Sequence, residues 1–556
     1  MTLKEKCALI IVALAVIATL AMIPASPRAS AAGRVEWSKV SDDGRRLDLS
    51  WMGIPAYPRA RDGSWIQRNL EARFNLTLKP IFMDWNQFAQ RRPMMLCGGD
   101  IPDVIWNGDP LGVQANLRNG FIMEIPWQVI VSNAPTYVSL LNRYGRQAWL
   151  YSFYQGHNYG IPTFDEGTIR PRIGAWRMDW LRKVGIDHVP ETIPQMHEAL
   201  YRLRYDDPDG DGKKDTYGWS PTIGHWSLAF ADVFAAYDVL PFDFMSQDGK
   251  VVWGGTLPAA KQALRTLHQW YQEDLLDPDF VLQAQEDDTQ ARFLAGRVGY
   301  IYPIDTWAFY NLSDSTSLYS RLRALQPGAE MAPGPPLRDA AGQRRGRAWG
   351  GAAHVIQFGI QVQQQPEKVL RVLRMFEQIT RSRQLYLEAR CGKEGLQWRN
   401  DPQRGIVALA PYDQDDHLRD QEMINESGFG SLFFYPASLD DTYHGPYTDP
   451  RAAAFDQNYR RPQWAMINVL GKCDVVPSAS RYLEDLRNYQ LTVFVEMVTG
   501  RRSVDDFDNF VHQFQRRGGD VIVSEANEIH AQLQQIYARV GATATETQTD
   551  PAEGNR

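Results

Sequence analysis

The strongest constraint on the fold of this chain is the alternation of short apolar strands with amphipathic helices along most of its length. A strand is predicted over residues 47–51, a helix over 65–74, a strand over 76–80 and a buried strand over 103–106. Further amphipathic helices are predicted at 194–204, 257–273, 366–381, 480–499 and 504–516. Elements that alternate in this way fold into α/β lobes, in which helices cover parallel sheets.

The composition is that of a globular protein, with 44% hydrophobic and 22% charged residues in a chain of 556. At about 150 residues per domain, this length allows roughly three or four domains. The net charge of −7 provides no basic field, so a nucleic-acid partner is not expected. The 17 Trp, 24 Tyr and 23 Phe favour a ligand with flat apolar faces, although a large core also uses aromatic residues.

The N-terminus has the order of a secretory signal. Lys4 and Lys6 precede an apolar run over 8–23, and prolines and small residues follow it, which predicts cleavage after Ala31. The alternative is a membrane anchor, but a run of about 16 residues is shorter than the ~20 that a spanning helix needs. We therefore expect removal of residues 1–31 and a mature chain that is periplasmic or secreted.

The four cysteines give little support to a metal or redox site. Cys7 lies before the apolar run, so it is not placed to accept a lipid at the cleavage site. Cys97, Cys391 and Cys473 permit one disulfide and one free thiol, and the sequence leaves open whether any two of them pair. No CxxC pair is present, which argues against a zinc or redox cluster.

Three stretches are predicted to be connections or tails. Residues 327–347 are rich in Pro, Gly and Arg and are predicted to form a long surface loop before a strand at 354–358. Residues 399–421 are polar and lack a clear period. The tail over 541–556 is rich in Thr, Glu and Gly and is predicted to be disordered.

An acidic loop has the carboxylate spacing of a calcium-binding loop. Its aspartates occupy positions 1, 3, 5 and 9 of such a loop: Asp207, Asp209, Asp211 and Asp215. Gly212 stands at the sharp turn of position 6, and Lys213 would supply a carbonyl oxygen at position 7. Position 12, where an EF-hand has a bidentate Glu, is Gly218 here, so two oxygens must come from elsewhere or from water. The pattern predicts calcium, with a solvated acidic turn as the alternative.

Most catalytic motifs are absent from the sequence. It contains no HExxH, no GxSxG, no GxxxxGK[ST] and no paired GxGxxG. The missing phosphate loop excludes an ATPase role within this chain. Asp165 and Glu166 are candidate glycosidase carboxylates, but polar groups of a cleft or a surface are the commoner role.

Several segments together resemble the ABC-transporter extracellular solute-binding proteins of family 1. The first, GGDIPDVIW at 98–106, is similar to the "sGDlPDvi" strand of that family. The others follow in the family's order: NYGIP at 158–162, WRMDWLRKVG at 176–185, the acidic loop from 207, WY at 270–271, DPDF at 277–280, FLAGRVG at 293–299 and MVTG at 497–500. The likeness runs from about residue 45 to 530. It is greatest to the large oligosaccharide-binding branch, which includes alginate-binding and LplA-type proteins.

The resemblance implies a type II periplasmic-binding-protein fold, with two α/β lobes, an interlobe hinge and a central cleft. Lobe one would hold 33–164 with 349–392, and lobe two 165–348 with 393–535. The acidic loop would then lie in lobe two, where relatives commonly carry a structural calcium. Some relatives have a further acidic ligand where this chain has Thr216. Gram-positive relatives have a lipid-acceptor Cys that is absent here, which favours a soluble periplasmic protein of a Gram-negative cell.

Ligand-binding residues are expected where strands end, because open α/β sheets bind ligands beyond the carboxyl ends of their strands. The strand at 103–106 leads into Trp106, Asn107 and Asp109, at a turn that contacts sugar in relatives. A strand over 298–301 leads into Asp305 and Trp307, close to a sugar-stacking Trp of relatives. The further candidates are Trp226, Trp349 and Trp398, followed by Arg177 and Glu394, for which a surface ion pair is the alternative.

The sequence thus predicts the substrate-binding protein of an ABC importer, which captures an oligosaccharide by lobe closure and performs no chemistry. It would deliver the ligand to a membrane permease that a separate ATPase powers, and it would act as a monomer, as is usual in the family. One alternative is a secreted carbohydrate-active enzyme with a structural calcium site. Another is a binding protein for a peptide or other non-sugar solute. The identity, length and charge of the ligand and the permease partner stay open.

Overall fold

The computed structural model describes residues 35–53, 62–83, 85–109, 111–282, 286–304, 309, 317–401, 405–410 and 450–541. The predicted signal, Asp305, Trp307 and the tail beyond 541 lie outside these residues. The strands before residue 165 are β1 Leu47–Met52, β2 Leu76–Ile81, β3 Val104–Asn107, β4 Phe153–Tyr154, β5 His157–Asn158 and β6 Ile161–Phe164. The helices of this part are α1 Trp65–Phe74, α2 Trp85–Cys97, α3 Gly112–Arg118, α4 Trp127–Asn133, α5 Pro135–Tyr144 and α6 Ala148–Ser152.

The middle of the chain forms a second set of strands and helices. Its strands are β7 Ile173–Arg177, β8 Tyr217–Trp219, β9 Phe244–Gln247, β10 Lys250–Trp253, β11 Val298–Ile304, β12 Met331–Gly334 and β13 Gly346–Arg347. Its helices are α7 Met178–Lys183, α8 Ile193–Tyr205, α9 Ala231–Ala236, α10 Pro258–Gln272, α11 Glu286–Leu294 and α12 Leu318–Leu325.

The last part of the chain is mainly helical. Its strands are β14 Ala352–Phe358, β15 Trp398–Asp401, β16 Gly405–Ala408 and β17 Ala465–Met466. Its helices are α13 Glu367–Arg381, α14 Arg383–Cys391, α15 Pro450–Tyr459, α16 Ala479–Val498, α17 Phe507–Phe514 and α18 Asp520–Val540. In the parts of the chain listed above, no helix is both long and apolar enough to span a bilayer.

Two mixed sheets organise the fold. The first has the strand order β2-β1-β3-β14-β6, with β1 parallel to β2 and β3 and with β14 antiparallel to β3 and β6. The second has the order β12-β7-β11-β8, and its central strand β7 is antiparallel to both neighbours. The expectation of parallel sheets was therefore wrong in part. Strand β14 follows β13 directly, without the crossover helix that a parallel connection requires.

The boundaries of α1 show why the local predictions succeeded. The hydroxyl of Ser64 accepts a hydrogen bond from the backbone N–H of Gln67, which caps the first turn. Asn75 ends the helix in the left-handed conformation, with φ 50°, and residue types that tolerate this region are typical of helix ends. Apolar periodicity and both caps agree here, so the predicted helix over 65–74 matches the observed one.

Two stretches predicted to be irregular contain structure. The 327–347 segment includes β12 and β13, and Arg344 and Arg347 within it are buried, so it is not a surface loop. Its prolines lie in or beside an edge strand, where a missing N–H is tolerated. The polar stretch from 399 opens with the antiparallel hairpin β15–β16. Cys97 and Cys473 are free thiols, so no disulfide involves either of them.

Candidate functional site

The chain passes between the two sheets along two adjacent crossings, residues 165–172 and 348–351. Thr168 donates from its hydroxyl to the carbonyl of Gly350 (2.8 Å), and the N–H of Gly350 donates to the carbonyl of Thr168 (3.1 Å). Gly350 has φ 80°, and a Cβ on Gly351 would lie 1.9 Å from the carbonyl oxygen of Tyr144. The glycines therefore allow the second crossing, which contains Trp349, to pack against the end of α5.

The β3 lip (residues 106–109) lies where β3 ends. Trp106 is 4% exposed, and its ring lies 5.3 Å from that of Phe88 and 4.8 Å from that of His354, between centroids. Asn107 is buried, and its amide donates to the carbonyl of Asp109 (3.0 Å), which closes the turn. Asp109 is exposed. This placement favours packing roles for Trp106 and Asn107 and leaves the Asp109 carboxylate as the polar group open to solvent at the lip.

Lys472, which sequence reasoning missed, lies close to the lip. Its ammonium donates to the carbonyl of Ala353 (3.0 Å) and lies 5.4 Å from the centre of the Tyr151 ring. Burial lowers the pKa of Lys472, while the charges of Asp474 and Asp109 oppose that effect. Burial also lowers the pKa of His354 to about 3, with a smaller contribution from Lys472. His354 is thus neutral at physiological pH, and the cation near the lip is the ammonium group of Lys472.

A second group, the crossing cluster, comprises His225, Trp226, Arg347, Trp349 and Arg487. The His225 ring lies 5.3 Å from that of Trp226 and 6.1 Å from that of Trp349, so the structure brings two predicted ligand residues together. The Arg487 guanidinium lies 3.6 Å from the Trp226 ring centre, and that of Arg347 lies 4.1 Å from the Trp349 ring centre. Trp349 is 38% exposed, and Trp226 is half-buried. The cluster is a partly open aromatic surface with two cations stacked on it.

Both arginines of the crossing cluster have N–H groups without a hydrogen-bond partner in the described residues. Arg347 is 3% exposed and donates from Nη2 to the Asp243 carboxylate (3.2 Å). Its Nε and Nη1 groups are buried and have no hydrogen-bond partner within the described parts of the chain, and the same holds for Nε of Arg487. Asp243 also accepts from the amide of Asn468 (3.1 Å). Burial, together with the charges of Arg347 and Arg487, lowers the pKa of His225.

The remaining candidates lie apart from this cluster. Trp398 is 2% exposed, and its indole N–H donates to the carbonyl of Gly392 (2.7 Å), which favours a packing role. Arg177 is also 2% exposed and binds the Asp179 carboxylate through Nε (2.9 Å) and Nη2 (2.7 Å), so its ion pair is buried and local. Glu394 is exposed.

The acidic loop between α8 and β8 gathers three of its carboxylates. Oxygens of Asp207, Asp209 and Asp211 all lie within 4.8 Å of one another. Oδ1 of Asp209 is buried and has no hydrogen-bond partner in the described residues, and burial together with the hydrogen bond to Asp207 raises the pKa of Asp209. The Lys213 ammonium lies 2.7 Å from Asp211. Such a set of crowded oxygens fits a hard cation, and Gly218, buried in β8, supplies no side-chain ligand.

Comparison with known proteins finds a family model that matches part of the chain. Residues 57–316 match the model of the bacterial extracellular solute-binding proteins. The chain is 25% identical over 261 residues to the fructooligosaccharide ABC transporter substrate-binding protein FusA of Streptococcus pneumoniae. That alignment covers 44% of this chain and 47% of FusA, so the chain matches about half the length of this relative.

Longer alignments extend the likeness to nearly the whole chain. The polygalacturonan/rhamnogalacturonan-binding protein YtcQ of Bacillus subtilis is 22% identical over 540 residues, which is 95% of this chain and 99% of YtcQ. The structure of FusA in complex with kestose superimposes with a TM-score of 0.59 at 17% identity, over 89% of this chain and all of that one. The alginate-binding protein AlgQ2 without calcium gives 0.57 at 16% identity, over 88% and 98% of the two chains. The chain therefore has the type II periplasmic-binding-protein fold of this family.

Proposed function

We propose that this protein is the substrate-binding component of an ABC importer and that it captures an oligosaccharide at the crossing between its lobes. The observation that supports this best is the crossing cluster, where the exposed Trp349 ring and the half-buried Trp226 lie beside unused N–H donors. Sugar rings present apolar C–H faces that pack on aromatic rings, and their hydroxyls need fixed polar partners. The names of FusA and YtcQ, both oligosaccharide or polysaccharide binders, agree with this ligand class.

Capture works through lobe closure. The two crossings connect the sheets through a few hydrogen bonds, such as that between Thr168 and Gly350, and residues at such connections absorb the rotation of one lobe on the other. A ligand that contacts both lobes favours the closed state by the free energy of those additional contacts. The closed form would then be the one that a membrane permease accepts.

The protein performs no chemistry in this proposal. Hydrolysis of a glycosidic bond requires two carboxyl groups on opposite sides of the bond. The Asp243 carboxylate beside the crossing cluster already accepts hydrogen bonds from Arg347 and Asn468. The cluster thus supplies donors and aromatic faces, which serve binding.

The proposal also includes export and a calcium ion. Cleavage near Ala31 would release a mature chain that acts as a periplasmic or secreted monomer. Asp207, Asp209 and Asp211, with Lys213 and Asp215 of the same loop, would hold calcium and stabilise the turn between α8 and β8. Structures of relatives are described as an EF-hand mutant of FusA and as AlgQ2 without calcium ion, which is consistent with a cation at such a loop.

Calorimetric titration of the mature chain with a panel of neutral and acidic oligosaccharides tests the function. We expect saturable binding to at least one sugar, with no product detectable by chromatography, and a loss of that binding in Trp349→Ala. Leu282→Ala, at a side chain that is 76% exposed, is the matched control and should bind like the wild type. Consumption of the sugar would favour the enzyme alternative, and binding of peptides alone would favour the non-sugar alternative.

A further inference from the structure

The charge of the ligand is open, because the names of relatives include both a fructooligosaccharide, which is neutral, and a polygalacturonan, which is acidic. The crossing cluster contains evidence on this point. Its buried polar groups without a partner are donors: Nε and Nη1 of Arg347 and Nε of Arg487. A ligand that completes these hydrogen bonds must bring acceptors.

The charges around these donors do not balance. Arg347 is paired with Asp243, and the Asp243 carboxylate is shared with Asn468. The nearest carboxylate to Arg487, that of Asp474, is 57% exposed and lies 3.9 Å away. Lys472 adds a third cation near the same crossing, on the side of the β3 lip. Buried cations that lack a full complement of carboxylates are costly to desolvate, and an anionic ligand group would reduce that cost.

Stacking keeps the two guanidiniums in place. Arg347 lies over Trp349 and Arg487 over Trp226, at 4.1 and 3.6 Å from the ring centres. A guanidinium stacked on a ring keeps its N–H groups at the edges, where the oxygens of a carboxylate can accept them. The same rings offer remaining apolar surface beside the cations. A carboxylate and a sugar ring are thus recognised at adjacent points.

We infer that the crossing cluster binds an oligosaccharide that carries carboxylates, such as a chain of uronic acids, with Arg347 and Arg487 as the residues that select for its charge. This inference rests on the proposed function and names the substrate class for it. Neutral oligosaccharides would use the aromatic faces, and their hydroxyl oxygens would accept from the N–H groups, but they would leave the guanidinium charges without an anionic partner. Inorganic anions would satisfy a guanidinium but gain nothing from Trp349.

The test is calorimetric titration of the mature protein with oligogalacturonides, with the same oligomers as methyl esters, and with neutral fructooligosaccharides. We expect the free acids to bind at least about tenfold more tightly than their methyl esters, since a hydrogen bond to a charged group contributes more than one to a neutral group. Arg487→Gln should remove most of that difference, and Arg347→Lys, which keeps a cation for Asp243, should reduce it. Arg481→Gln on the same helix, at an exposed arginine, is the matched control and should leave the difference unchanged.

The outcomes separate this inference from the proposed function. Equal affinity for acids and esters, or binding of neutral sugars alone, would overturn the charge selection while the oligosaccharide function stands. Competition by inorganic phosphate at concentrations similar to those of the oligogalacturonide would indicate a simple anion site and would also overturn it. Binding of no sugar in the panel would overturn the function itself. Arg487→Gln must show a melting temperature near that of the wild type, and Arg347→Lys provides the second measurement if it does not.

Discussion

The β3 lip and the crossing cluster are both built around tryptophan, yet the two regions use it differently. At the lip, Trp106 is enclosed by Phe88 and His354, and the neighbouring amide of Asn107 is used to close a turn. In the cluster, Trp349 is 38% exposed and supports a cation whose donors are not all used. A position at the end of a strand therefore does not by itself make a residue part of a ligand site. What distinguishes the cluster is exposed ring surface next to unused hydrogen-bonding capacity.

The largest expected effect is the difference between Trp106 and Trp349 in how much each contributes to the free energy of unfolding. Trp106→Ala removes a fully packed ring and should lower the free energy of unfolding by about 3–5 kcal/mol. Trp349→Ala removes a partly exposed ring with one stacked cation and should lower it by only about 1 kcal/mol. Urea denaturation followed by circular dichroism measures both. Similar losses for the two variants would mean that the lip and the cluster are equally part of the core.

A histidine, His354, packs against the β3 lip, and the crossing cluster contains another, His225. These two residues should affect the pH dependence of stability to different extents. The pKa of His354 at the lip is lowered to about 3 from an unfolded value near 6.5. Its neutral form is favoured in the folded state, so its contribution to stability is present above about pH 6.5 and is lost as the pH falls toward 3. Between pH 7 and 4 this amounts to a loss on the order of 3 kcal/mol.

His354→Gln should therefore flatten the fall in melting temperature with acid, relative to the wild type. His225→Gln in the crossing cluster is the matched variant and should flatten it less, since His225 is exposed, although its pKa is shifted in the same direction. Melting curves at half-unit steps of pH measure both. An unchanged acid profile in His354→Gln would contradict the assigned burial of the lip.

The acidic loop lies outside both the β3 lip and the crossing cluster. The calcium ion proposed for it can therefore be tested separately from the ligand site. Calcium at about 100 times its dissociation constant should stabilise the folded state by about 2.7 kcal/mol, because it binds the folded loop alone. The rise in melting temperature should disappear with a chelator and in Asp209→Asn, whose carboxylate belongs to the trio. Asp248→Asn, in the turn between β9 and β10, should keep it. An equal response in both variants would place the ion elsewhere.

The β3 lip could be predicted from the sequence because its residues are contiguous and follow a buried apolar strand. The acidic loop could be predicted because its aspartates are close together in the sequence, α1 follows from periodicity and caps, and α13 follows from periodicity. The crossing cluster could not be predicted as a unit, since it unites the 225–226 turn, β13, the second crossing and α16. Arg347 lay in a stretch whose Pro and Gly content predicted a surface loop, and only its pairing with β17 shows that it is buried. Nothing local distinguishes Arg487 from other arginines of a long helix.

The smallest expected effect concerns Asp109, the exposed carboxylate of the lip. It accepts the N–H of Leu111 at 2.9 Å, an interaction that Asn can also make, so Asp109→Asn should change the stability by no more than about 0.5 kcal/mol. The Asp109 charge acts on Lys472, opposing the effect of burial on its pKa. Removing that charge makes the neighbourhood more positive, and we expect acidic oligosaccharides to bind up to about threefold more tightly, as for a single screened charge. Neutral sugars should bind unchanged. A large loss of affinity for every sugar would instead make Asp109 a direct ligand residue and the lip a second binding wall, because a carboxylate that contacts sugar hydroxyls cannot be replaced by an amide without cost.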